Sequence, residues 1–327
     1  MAKAMGKEIM MIRYIGKRLL QIIPAFFLIT IVVFFLASSA PGNPVDLIKA
    51  GGEITPEQEA HLIQYYGLDK PVIVRYFYWL GHIFQGDLGV SSRTNMPVWP
   101  LISERIGPTL VLSVSSLVVS LLIAIPLGAA AAMKPYSIWD NLSSVLAFVG
   151  SAAPNFFVSL VVIYIFSIKL SLLPAMGMFS AGNHGPLLDL VKHLILPCFI
   201  MVMQIVGIFI KETRGSMLDV INEEYVKTAR SKGISELAVV VKHILRNSLI
   251  PIVSCISLVI PFMVGGAVVT EQVFGWPGMG NLLMLSISQR DYNVIMGITV
   301  LISVAVLVAN LLIDLLYAYL NPKIRFN

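Results

Sequence analysis

Charge is what this 327-residue chain has least of: Asp, Glu, Lys and Arg together make up 13% of it. A soluble globular domain carries roughly 25%, whereas here 57% of the residues are hydrophobic and the mean hydropathy is +0.84. Cysteine is nearly missing too. Cys198 and Cys255 both fall in or beside apolar runs, so they read as packing residues and give no disulfide or metal signal. No G-x-x-x-x-G-K-[ST] occurs, since Gly16-Lys17 is followed by Arg18 and lacks the upstream glycine; this excludes nucleotide binding by a P-loop. None of the histidines opens H-E-x-x-H, which argues against a membrane zinc protease. No pair of acids sits in the middle of an apolar run, as a proton relay or an intramembrane aspartyl protease needs. Nothing here looks like a catalyst.

What is present is length of apolar chain. Six stretches, residues 19–40, 108–133, 142–168, 194–210, 250–270 and 294–316, approach or exceed the length of about 18 residues that crosses a hydrocarbon core about 30 Å thick. The first exceeds the 7–15 residues of a cleaved signal region, and Pro41 directly follows the cleavage-like Ser38-Ser39-Ala40, so it reads as a retained span. Basic residues cluster at Lys3 to Arg18, Lys211 to Arg246 and Lys323 to Arg325, with few in the short loops between. The long segment 41–105 also holds several, but long loops weigh little in setting orientation. The pattern predicts six spans with both termini inside. The pI of about 9.1 then reports membrane topology, not nucleic-acid binding.

The segment 41–105 differs from the rest. Thr55-Pro56 predicts a helix start, with Thr55 as N-cap; Gly67 and Pro71 break that helix, and residues 72–84 predict a second. Its aromatic run (Tyr65, Tyr66, Tyr76 to Trp79) reads as a membrane-interface feature before a ligand site. Small residues from Gly128 to Ala132 suit close helix approach. Gly150 to Asn155 interrupts the third span with Pro154, either lining a solute route or kinking a packed helix. Phe274 to Gly280, with three glycines and a proline, predicts a tight turn that either gates a pathway or closes a hairpin. Asp314 near the inner end of the last span is a functional candidate by default, with a structural ion pair the stronger alternative there.

The charges gather in residues 222–251, NEEYVKTARSKGISELAVVVKHILRNSLIP. A helical apolar period runs through Val226, Ala229, Gly233, Leu237, Val240 or Val241, and Ile244, predicting an amphipathic cytoplasmic surface suited to docking a partner. Six spans, no energy-coupling residues and a patterned docking loop together point to a transporter subunit driven from outside.

The same residues resemble a known family along nearly the whole chain. Tyr225 to Gly233, followed by Lys242 to Pro251, is similar to the coupling loop of ABC importer permeases, and more narrowly of the dipeptide, oligopeptide and nickel branch. Ala40-Pro41-Gly42-Asn43-Pro44, Tyr66 to Pro71, Gln85 to Ser91, Glu271 to Gly280, Arg290-Asp291-Tyr292, Asn310 to Tyr317 and Asn321 to Arg325 match in order and spacing. There are departures. The general motif's Glu-Ala-Ala is Lys227-Thr228-Ala229 here, its later proline falls at Arg246 with Pro251 five residues on, and Asn43 stands where the branch often has aspartate. The first two are as the branch has them.

The resemblance implies an all-α polytopic membrane protein with six transmembrane helices and a type I importer fold. Residues 1–105 would hold the cytoplasmic tail, first span and outer segment; 106–317 the permease core, with the coupling loop at about 211–248; and 318–327 a cytoplasmic tail. It further implies a homologous second permease, two ABC ATPases that carry ATP and Mg, an outer solute-binding protein, and surrounding lipid of a bacterial or archaeal cytoplasmic membrane. No cofactor or metal would bind this chain. Peptides are the expected cargo, with nickel, glutathione or another small solute as alternatives, and a stand-alone six-helix facilitator or channel as the contrasting class. The implied coupling residues are Glu224, Tyr225, Thr228, Ala229, Arg230, Lys232, Gly233, Arg246, Asn247 and Pro251, with Ala229 on the docking face and Gly233 turning the chain. Pro154, Asn155, Trp276, Pro277 and Gly278 are the candidates for the pathway and its gate.

Overall fold

A computed structural model describes residues 2–39, 45, 49, 55–180 and 185–320, and every regular element among them is a helix. In chain order these are α1 (Ala2–Ser39), α2 (Pro56–Tyr66), α3 (Val72–Phe84), α4 (Val98–Met133), α5 (Ile138–Ala152), α6 (Asn155–Lys169), α7 (Leu187–Ile221), α8 (Glu224–Ser231), α9 (Glu236–Val273), α10 (Met279–Gln289) and α11 (Tyr292–Leu320). The turn at residues 40–44 and the segment 321–325 lie outside the described residues.

Among the described residues five helices are long and apolar enough to cross a membrane: Leu20–Ser39 within α1, then α4, α7, α9, and Tyr292–Leu316 within α11. The third predicted span is instead two shorter helices. Pro154 has no N–H to continue the ladder and disfavours helical geometry in the residue before it, so α5 stops at Ala152 and α6 restarts at Asn155. The long helices also outrun their apolar stretches, because polar residues near a helix end need not leave the helix. Local signals behave as expected around α2. Thr55 accepts from the Gln58 N–H while the Gln58 side chain accepts from Thr55 N–H, and Gly67 ends the helix in the left-handed region at φ +60.

The contacts divide the chain into two units, one built around Leu110–Trp276 and one from Ile15–Thr109 and Pro277–Leu307. In the first unit α7 is central: 67% of its apolar window is buried, against 22–29% for the windows of α4 and α9. Met201, Ile205 and Phe209 of α7 pack with Leu112 of α4, with Ile252, Val259 and Met263 of α9, and with Trp276. Small residues allow this. A Cβ on Gly207 would sit 2.5 Å from Ala147 Cα, and one on Gly128 would sit 2.7 Å from Thr213 Cβ, so the helices touch there backbone to backbone.

The second unit is pinned by polar bonds at the start of α11. The buried Asp291 carboxylate accepts from the Ser91 hydroxyl and the Ser92 N–H, and the Asn293 amide donates to Tyr66 Oη and the Val90 carbonyl. Apolar clusters of Phe34, Tyr76, Leu80 and Met296, and of Val98, Ile102, Val294 and Ile298, fill the space around them. Part of the predicted interface aromatic run is thus core: Tyr76 is buried with its hydroxyl 3.0 Å from Thr30 Oγ1, while Phe77 and Tyr78 stay exposed.

Candidate functional site

The charged segment folds as one short helix, a glycine turn, and the first turns of a long helix. α8 begins after an extended Glu223, with Glu224 in its first turn and Arg230 in its last, the order that complements the helix dipole. At the turn Gly233 adopts φ +72, and a Cβ built there would meet nothing within 4 Å. Backbone conformation requires glycine here; space does not. Across the turn the Arg230 guanidinium donates twice to the Glu236 carboxylate, at 3.2 and 2.8 Å, which holds that carboxyl below the usual range.

Residues 236–273 then form a single helix, α9. A wide π turn over Val239–Leu245 precedes Pro251, and the Asn247 amide donates to the His243 carbonyl at 2.7 Å, covering an acceptor in that turn. Burial, then the Glu223 charge, raise the Tyr225 phenol, while a hydrogen bond with Asn247 lowers it.

The amphipathic period is present, but its apolar side is turned inward. Val226 and Ala229 are buried against Ala132, Met217, Val239 and Ile244, so the stripe is covered by the chain itself. Its later members divide: Ile244 is buried, whereas Leu237 is 76% exposed and Val241 54%. Every other implied coupling residue is exposed: Glu224, Tyr225, Thr228, Arg230, Lys232, Gly233, Arg246, Asn247 and Pro251, the last within the apolar stretch of α9. The surface left for a partner is therefore polar and basic, with Tyr225, Ile234, Leu237 and Val241 as its apolar points. The sequence period locates the stripe; it carries no information on what covers it.

The broken helix lines a cleft. Pro154 and Asn155 share it with Gln204, Gly207 and Lys211 of α7 and Phe262 of α9, enclosing about 390 Å³. At its edge a Cβ on Gly150 would fall 2.0 Å from the Met203 carbonyl oxygen, so the α5 end lies against α7. The break is a packing contact on one side and a cleft wall on the other.

The turn after α9 is packed. Gly275 takes φ +56, the Trp276 N–H donates to the Glu271 carbonyl, and the Gly177 N–H donates to the Phe274 carbonyl at 2.8 Å. Trp276 and Phe274 are at most 1% exposed, and Pro277 and Gly278 follow ahead of α10. An ion pair that no local motif announces joins α5 to α7. Arg214 donates from Nε and Nη2 to Asp140 at 2.8 and 3.1 Å, and the bond from Arg214 holds the Asp140 carboxyl below its ordinary range.

Against known proteins, residues 124–326 match the binding-protein-dependent transport system inner membrane component family, and residues 11–115 match the N-terminal family of the same membrane components. The chain belongs to this family of importer permeases. The permease is 41% identical over 317 residues to the oligopeptide transport system permease protein AppB of Bacillus subtilis strain 168, covering 97% of this chain and 100% of the relative. It is 38% identical to the glutathione transport system permease protein GsiC of Salmonella typhimurium strain LT2, over 97% and 100% of the two chains. With the dipeptide transport system permease protein DppB of Escherichia coli K12 it shares 34% identity over 96% and 99%. A crystal structure of an amino acid ABC transporter with histidines aligns at a TM-score of 0.50 and 16% identity, covering 67% of the permease and 94% of that chain; this likeness concerns the fold alone. The family resemblance read from the motifs is thereby borne out.

Proposed function

We propose that this permease forms one half of the translocation pathway of an ATP-driven importer for peptides in the cytoplasmic membrane of a bacterium or archaeon. In this reading six spans place both termini inside, and the α5–α6 pair is the third of them. A homologous permease completes the pore, two ABC ATPases hold ATP and Mg, and an outer binding protein delivers the solute. Peptide cargo is supported by relatives named for oligopeptides, dipeptides and glutathione, itself a peptide. Pro154 and Asn155 would line the route at the cleft, and the Trp276–Gly278 turn would act as its gate by leaving its packed position.

One observation carries the coupling role. Gly233, Arg230, Lys232 and Tyr225 match the family's coupling motif yet stand at the surface, where the fold itself does not require most of their side chains. ATP-driven closure of the ATPases would push on α8, and through its buried Val226 and Ala229 move the helices it packs against. The inward apolar stripe thus serves as the grip on the spans, while the polar face meets the ATPase.

The test is Gly233→Trp in the reconstituted importer. Left-handed strain costs roughly 1–2 kcal/mol for a residue with a Cβ, so the variant inserts and folds, while uptake and solute-stimulated ATP hydrolysis fall to background. Unchanged uptake overturns the coupling assignment. Solute flux through the purified permease alone, without ATPases, would make it a stand-alone facilitator instead.

A further inference from the structure

Among α1, α2, α3 and the start of α11, within the second unit, lies a pocket of about 230 Å³ that the transport reading leaves unused. Its walls are aromatic: Phe34, Tyr65, Tyr66 and Trp79. Among the described residues of its lining, Arg75 supplies the one permanent positive charge. Among the described residues the Arg75 Nε has no hydrogen-bond partner, and burial lowers the guanidinium's pKa. Partly burying a guanidinium is costly unless its charge is paired. The lining's acid is engaged elsewhere: Asp87 accepts from the Tyr65 hydroxyl and the Gly89 N–H, and lies 3.4 Å from His82.

We propose that this pocket binds the carboxylate of an apolar molecule about the size of one amino-acid residue, paired to Arg75 and seated between the aromatic rings. The size follows from the volume, which falls short of the roughly 300–1,000 Å³ of drug-sized ligand sites. A monoanion fits because the Asp87 carboxylate on the same lining repels a second negative charge. The planar guanidinium fork suits a carboxylate, and the rings suit an apolar body. A phospholipid headgroup is disfavoured, being bulkier and strongly hydrated.

The experiment uses the full chain in phosphatidylcholine nanodiscs, titrated with N-acetyl-leucine while tryptophan emission is followed. A saturable change is expected, lost in Trp79→Phe, with N-acetyl-leucinamide at least about tenfold weaker because it cannot pair with the guanidinium. Arg75→Gln should weaken the acid by the same factor and leave the amide unchanged. The acid–amide comparison needs no variant, so poor folding of Arg75→Gln does not blunt it. Equal binding of acid and amide, or no response to either, overturns the proposal. So does an emission change seen on exchange into phosphatidylglycerol without any response to the acid, which would make this a lipid site. ATPases are absent throughout, so failure here leaves the importer reading standing.

Discussion

Gly233 and Gly275 both turn the chain in the left-handed region, at φ +72 and +56, and both sit in motifs that resemble the same family. Their surroundings differ. A Cβ on Gly233 would project into open space, whereas one on Gly275 would come within 3.1 Å of Met176 Cε. Beside Gly275, Phe274 and Trp276 are buried in the core; beside Gly233, Lys232 and Ile234 are exposed. The second motif is accounted for by packing within the chain. The first is so accounted for only in part: φ requires Gly233, and Val226 and Ala229 are buried, while its charged side chains stand exposed, and exposed motif residues that packing does not need are the better indication of a partner.

The largest effect that would sharpen this contrast is on the buried side. Trp276→Ala removes a fully buried indole from the α4–α7–α9 core, and loses about 3–5 kcal/mol of stability. A drop in the thermal midpoint of the detergent-solubilised permease reads it out. If stability held, Trp276 would not be a packing residue, and the contrast would fail at its buried end.

Next in size is Asp291→Ala. It strips the acceptor from Ser91 and from the Ser92 N–H, both buried, at a cost of about 1–3 kcal/mol for the groups left unpaired. Faster hydrogen exchange at residues 89–93 and at the α11 start would register it. An unchanged exchange pattern would mean that Arg290-Asp291-Tyr292 is there for a partner, as proposed for the Gly233 motif.

Much of this was legible beforehand where the physics is local. Thr55 and Gly67 bound α2, Pro154 breaks the third predicted span into two helices, and Gly233 turns the chain, because capping and φ preferences act within a few residues. The rest depends on what lies across space. The stripe through Val226 and Ala229 was visible as a period, but not that Met217 and Val239 cover it. The pairing of Asp140 with Arg214 joins residues 74 apart, and nothing in either local sequence selects the other. The Arg75 pocket is invisible in the sequence for the same reason: its lining is gathered from α1, α2, α3 and α11, and the aromatic run alone reads as an interface belt.

The smallest effect probes the exposed side most directly. The Arg230–Glu236 pair spans the Gly233 turn in solvent, with side chains 38% and 53% exposed, where an ion pair is worth at most about 1 kcal/mol. Arg230→Ala should therefore shift the thermal midpoint little, and the shift should shrink further in high salt. Reversing the pair, Arg230→Glu with Glu236→Arg, restores the attraction and with it whatever stability was lost. It also inverts the charge pattern offered to a docking partner. If the polar face of this segment contacts the ATPase, the reversed pair leaves the permease folded but uncoupled, with solute-stimulated ATP hydrolysis reduced in the assembled importer. If hydrolysis and uptake return together with stability, the pair merely braces the turn. The exposed motif would then be explained within the chain as fully as the buried one, and the contrast between the two glycine turns would no longer point to a partner.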